Sequence, residues 1–213
     1  MTCALHVLNA NGDLSDWMPR IQRAFESSLA LVSSRIPVGD VDVVVYEDAA
    51  NVVPELGMSG FCTSPRRMYL PIDTRHPELP TTFEKVFQSF MAHELHHCAR
   101  RSIQGFSSTL GQALVTEGLA CCFEAELPGG TAPVYATCVR GPELKRVQDL
   151  ARAALHDSFE GWDDWFFGAR EPEIPLHAGY SLGYLLVSNW LRKQHSTAAI
   201  EHAVTAEQVL ADA

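Results

Sequence analysis

The sequence predicts an α+β fold, and three observations carry that prediction. VDVVVYED (41–48) is dense in β-branched residues and reads as a strand. Residues 15–36 and 81–101 place apolar side chains at helical spacing. Beyond residue 101 the periodic apolar stretches are helical, so strands belong to the first half of the chain.

Taken in order, CALHVLNA (3–10) alternates weakly and is strand-like. In 15–36, Trp17, Ile21, Ala24, Phe25, Leu29 and Val32 form the apolar stripe, with Ser15 as N-cap and Pro37 after the end. GMSGFCTSPRRMYLPID (57–73) reads as a hairpin: GFCT and MYLPID are extended and SPRR turns between them. Pro71 has no N–H to donate, which places its strand at a sheet edge.

The helix over 81–101 carries Phe83, Val86, Phe87, Phe90 and Met91 on its apolar stripe, and Gly105 lies in the exit loop. A second helix spans 107–127, closed by Pro128, Gly129 and Gly130, and a third runs from Glu143 to Ser158. GWDDWFFGAREPEIP (161–175) reads as an aromatic-rich loop. A fourth apolar helix covers 178–194, and TAEQVLADA is a short terminal helix or tail. No repeat or linker divides the chain, so residues 1–213 read as one domain.

Composition narrows the function classes. Of 213 residues, 46% are hydrophobic and 20% charged, which is ordinary for a globular chain. Sixteen basic against 26 acidic residues give a net charge of −10, which repels phosphate backbones and argues against nucleic acid as partner. No stretch approaches the ~18 apolar residues of a membrane span. The N-terminal MTCALHVLNANGD lacks the basic and apolar regions of a secretory signal. Cys3, Cys62, Cys98, Cys121, Cys122 and Cys138 make no CxxC pair, so thiols in a reducing cytoplasm are the expectation.

Against that background AHELHHC (92–98) stands out. His93, Glu94, Leu95, His96 and His97 spell H-E-x-x-H. Each helical residue advances about 100°, so His93 and His97 lie one turn apart and only about 40° out of line. Their imidazoles point off one face at a spacing that grips a small cation such as Zn²⁺. Glu94 lies about 60° from His97, poorly placed as a third ligand but within reach of a metal-activated water. The alternative is a polar helix face with two incidental histidines.

A second stretch, TEGLA (116–120), supports the metal. Glu117 follows His97 by 20 residues, enough for a turn and an antiparallel return. It stands in the apolar run ALVTEGLACC, where an unpartnered carboxylate is costly. Two His and one Glu would leave a fourth position for water, the pattern of a catalytic zinc site. A salt-bridged or surface carboxylate is the other reading of Glu117.

HELHH (93–97), EGLA (117–120), WFFG (165–168) and GYSLGY (179–184), in this order, resemble the gluzincin branch of zinc metallopeptidases. More narrowly they resemble a family of bacterial predicted zinc-dependent proteases, with the likeness spanning about residues 57–191. The resemblance implies a zincin-like fold: a small twisted sheet on the HExxH helix within residues 1–101, and a mainly helical part, 102–213, carrying the third ligand. It implies that an edge strand in the 60–73 hairpin, with Gly60, Phe61 and Cys62, receives extended peptide. It also points to Tyr180 as oxyanion donor, with His177 second; core packing is the alternative for Tyr180. Many thermolysin-like enzymes carry an Asp four residues after the ligand Glu, and here that position is Cys121.

His96 lies off the ligand face and reads as a hydrogen-bonded histidine near the sheet, with a catalytic role, such as oxyanion donor, as the alternative. Trp162, Trp165, Phe166 and Phe167 read as core or lid packing, with a substrate pocket as the alternative. The expected activity is zinc-dependent peptide hydrolysis. Zinc held by His93, His97 and Glu117 would activate water, Glu94 would move the proton, and a peptide or protein would be the substrate. A zinc amidase acting on a small molecule and a non-catalytic zincin-like binding domain are the rival expectations.

Overall fold

The computed structural model describes residues 2–158, 162–168 and 174–211. The chain is α+β and divides into two compact units, residues 1–103 and 104–213.

The first unit holds a mixed four-stranded sheet: β1 (Cys3–Leu8), β2 (Val41–Glu47), β3 (Phe61–Ser64) and β4 (Arg67–Ile72), in the order β1-β2-β4-β3. β1, β2 and β4 are mutually parallel, and β3 pairs antiparallel with β4 through a bulge between Cys62 and Ser64. Alternation fixes which face of β2 is inside: Val41, Val43 and Val45 are buried while Asp42 is exposed. Met68, Leu70 and Ile72 of β4 are fully buried.

Helix α1 (Met18–Ser33) connects β1 to β2, and α2 (Leu79–Gln104) follows β4. Ser15 does not cap α1. A 3-10 turn over Ser15–Trp17 precedes it, and the Ser15 hydroxyl accepts from Asn9 instead. Pro19, with φ already fixed, sits in the first turn of α1. Arg20 of α1 straps this helix to α2. Its Nε and Nη2 donate to the Glu84 carboxylate at 2.9 and 2.7 Å, and its Nη1 to the Pro80 carbonyl at 3.0 Å. Its guanidinium also stacks 5.2 Å from the Trp17 ring and 5.0 Å from Phe83. The expected apolar stripe of α2 is buried from Phe83 to Met91.

The hairpin over 57–73 forms, but the strand bearing Pro71 is interior and β3 is the edge. The ladder geometry explains how a proline is tolerated there. The carbonyls of Arg66 and Ile72 accept from β2-side donors Asp42 and Asp48, so Pro71 faces the other side. On that side its carbonyl accepts from Ser59, just before β3 begins at Phe61. The missing N–H therefore falls where the β3 ladder has already ended.

The second unit is helical: α3 (Leu110–Glu126), α4 (Gly141–Ala154), α5 (Trp162–Phe167), α6 (Ala178–Gln194) and α7 (Ala206–Leu210). Thr109 caps α3 by accepting from Gln112 N–H, and Thr205 with Gln208 forms a capping box on α7. Leu110, Leu114, Val147, Phe166 and Leu182 anchor the core.

Two elements depart from the sequence reading. α4 stops at Ala154 rather than Ser158: the Leu155 carbonyl accepts from Gly111, and Ser158 bridges Thr109. The expected loop over 161–175 contains the short helix α5; residues 161 and 169–173 lie outside the described residues. Phe166 is fully buried, and burying that ring outweighs the weak helical signal of six residues. No helix among the described residues is long and apolar enough to cross a membrane.

Candidate metal centre

α2 is buried for most of its length, and its turns around 93–97 bury four titratable side chains. His93 and Glu94 are 4% exposed, His96 0% and His97 3%. Such groups are tolerated inside a protein only when hydrogen-bonded, ion-paired or bound to a metal.

The helical period brings three of them together. The His93 and His97 rings lie 4.6 Å apart between centroids and stand edge-on at 83°. Each offers a nitrogen, and Glu94 a carboxylate oxygen, with all three atoms within 4.8 Å of one another. Two imidazoles and a carboxylate are the donor chemistry Zn²⁺ accepts, so the residues present fit the metal. Glu94 is nearer this cluster than helical angles alone predict, and its side chain fills the space beside Gly60. A Cβ on Gly60 would lie 2.6 Å from Glu94 Cγ and 2.7 Å from its Oε1.

Gly60 immediately precedes β3, so the edge strand starts against this carboxylate. Phe61 is 39% exposed and Cys62 is buried. His96 is completely enclosed.

Glu117, Tyr180 and His177 belong to the second unit, and each is described there. Glu117 is buried on α3. The residue after it, Gly118, is where α3 meets α6: a Cβ there would lie 2.2 Å from the Gly183 carbonyl oxygen. Gly183 in turn faces the Leu114 carbonyl, where a Cβ would lie at 2.4 Å. The EGLA and GYSLGY stretches are thus two sides of one helix crossing that only glycine admits.

The WFFG stretch joins the same arrangement. A Cβ on Gly179 would lie 2.7 Å from the Phe166 ring. Tyr180 stands edge-on to Phe166 at 4.9 Å, to Tyr135 at 5.0 Å and to His177 at 5.8 Å. His177 precedes α6 with φ +63, and its Nδ1 lies 3.2 Å from the Phe166 carbonyl.

The sequence reading missed one buried pair. Tyr135 donates to Glu124 Oε1 at 2.6 Å. Burial, then the Glu124 charge, hold the Tyr135 phenol well above its usual range, so it stays a donor. Glu124 follows Glu117 by two helical turns, and Cys121 lies between them, so all three share one buried face of α3. The seven-residue spacing in EGLACCFE was the available signal.

No curated protein and no solved structure matches the chain. A family model described as "Predicted Zn-dependent protease (DUF2268)" matches residues 20–211. That match takes in both units, from α1 to the last described residue, and the chain belongs to this family.

Proposed function

We propose that the protein is a zinc-dependent metallopeptidase of zincin-like, gluzincin type. The observation that carries the reading is the convergence of His93, Glu94 and His97 on one buried face of α2. His93 and His97 would hold the metal with Glu117, a buried carboxylate in an apolar helix, as third ligand.

Bound zinc supplies Lewis acidity, polarising a peptide carbonyl and easing deprotonation of water. Glu94 takes the proton from the attacking water and delivers it to the leaving amine. The absence of a side chain at Gly60 leaves the Glu94 carboxylate the space it occupies beside the histidines. Tyr180 donates to the oxyanion, its ring packed edge-on against Tyr135 and Phe166. Gly60, Phe61 and Cys62 lie on a strand that is terminal in the sheet order and would receive an extended peptide there, with Arg101 giving up the Cys62 carbonyl.

Metal analysis and peptide hydrolysis test this together. Wild type should carry about one zinc and cleave an unfolded protein substrate. Glu117→Ala should lose metal, and Glu94→Gln should keep it while losing turnover by about 10³-fold or more. A wild-type protein that binds no zinc when supplied with it overturns the proposal. Zinc binding without peptide cleavage would leave the small-molecule amidase or the binding domain in its place.

A further inference from the structure

Residues 60–62 run beside α2 in two rungs. Gly60 faces Glu94, and Cys62 faces Cys98 with the sulfurs 3.4 Å apart. Two extended residues advance about 6.6 Å and four helical residues about 6.0 Å, so the rungs stay in step. Both cysteines are free thiols and buried, Cys62 at 8% and Cys98 at 2% exposure. Cys62 Sγ also lies 3.1 Å from the Ser64 carbonyl, and the Arg101 guanidinium donates to the Cys62 carbonyl. The hydrogen bond from Cys98, opposed by burial and assisted by the Arg101 charge, pulls the Cys62 thiol below its usual range.

We propose that Cys62 and Cys98 form a redox-active dithiol, converted by hydrogen peroxide into an intramolecular disulfide that ties the start of β3 to α2 beside Glu94. The Cys62 thiolate attacks one peroxide oxygen, the O–O bond breaks, and the departing hydroxide takes a proton to become water. Cys62 is left as a sulfenic acid. The Cys98 sulfur then attacks the Cys62 sulfur, the S–O bond breaks, and hydroxide leaves with the Cys98 proton as a second water. Two thiols and one peroxide thus give one disulfide and two waters, the sulfurs losing two electrons and the peroxide oxygens gaining them. The sulfurs need only close from 3.4 Å to about 2.05 Å.

The consequence for the neighbouring rung rests on the peptidase reading; the disulfide itself does not. A Cβ at Gly60 would already lie 2.6 Å from Glu94 Cγ, so drawing Cys62 onto the helix brings this backbone closer to the proposed base.

Peptide mapping by mass spectrometry after brief peroxide treatment of the whole protein tests the proposal. The expected product is a linked pair of peptides joining Cys62 to Cys98, lighter by two hydrogens than the reduced pair and separated again by dithiothreitol. In Cys98→Ser, dimedone should capture Cys62 as the sulfenic acid. Full alkylation of both thiols after treatment, or a disulfide confined to other cysteines, overturns the dithiol. Should Cys98→Ser fail to fold, the wild-type map decides alone. Turnover of a peptide substrate should fall by about tenfold or more on oxidation and return with dithiothreitol. A mapped disulfide with undiminished turnover overturns the effect on the base. Absence of turnover in the reduced, zinc-loaded protein defeats the peptidase reading, while the map still decides the dithiol.

Discussion

Glu94 fills the space that a side chain at Gly60 would take: any Cβ at position 60 would lie 2.6 Å from Glu94 Cγ. Gly60→Ala must therefore displace a carboxylate that is itself buried. Under the peptidase reading, kcat should drop by about 10²-fold with zinc content retained, because an error of about 1 Å in a proton-transfer group is that costly. Steady-state kinetics beside metal analysis checks this; unaltered kcat would show that Glu94 has room to move.

The α3–α6 crossing should be the most sensitive packing site of the second unit. Gly118→Ala drives its Cβ to 2.2 Å from the Gly183 carbonyl oxygen, a backbone atom that cannot rotate away. A loss of about 3 kcal/mol or more is expected in urea denaturation. Gly39→Ala is the control: nothing lies within 4 Å of a Cβ there, and its effect should stay within about 0.5 kcal/mol.

Tyr135→Phe should destabilise the protein by about 1.5–3 kcal/mol. It removes a donor from the Glu124 carboxylate while leaving that carboxylate buried. The shift in urea midpoint at constant m-value measures it.

Arg20→Ala should cost about 1–2 kcal/mol, since the side chain combines a two-point ion pair with stacking on Trp17 and Phe83. Arg20→Lys should recover little, because an ammonium cannot reproduce the planar fork. The Arg20 hydrogen bonds hold the Glu84 carboxyl below its usual range. Its folded pKa is therefore the lower one, and its contribution is present above the ordinary carboxylate range and lost as pH falls through the folded value. The melting-temperature gap between wild type and Arg20→Ala should narrow slightly on acidification. The narrowing is small because Glu84 is 57% exposed, and the stacking part persists at all pH values.

Features encoded by spacing along one element were legible in the sequence. His93, Glu94 and His97 converge because a helix repeats every 3.6 residues, and the apolar stripe from Phe83 to Met91 shows that this stretch is a helix. The hairpin was legible for a similar reason, since its turn and both its strands lie within seventeen residues. Ser15 misled because its hydroxyl had a second use, accepting from Asn9.

Relationships between distant segments needed the tertiary structure. Pro71 argues for an edge when the strand is considered alone; only the sheet order reveals that its nitrogen faces a position β3 has not yet reached. Nothing near Gly60 in the chain announces Glu94, and nothing near Cys62 announces Cys98. Those pairs exist because an extended segment and a helix advance at nearly matched rates when laid side by side. The sequence by itself determined which residues can meet within one helix or one hairpin, because local geometry is set by backbone sterics and period. The tertiary structure alone decided which surfaces close on one another, because those contacts depend on the burial of apolar area summed over the whole unit.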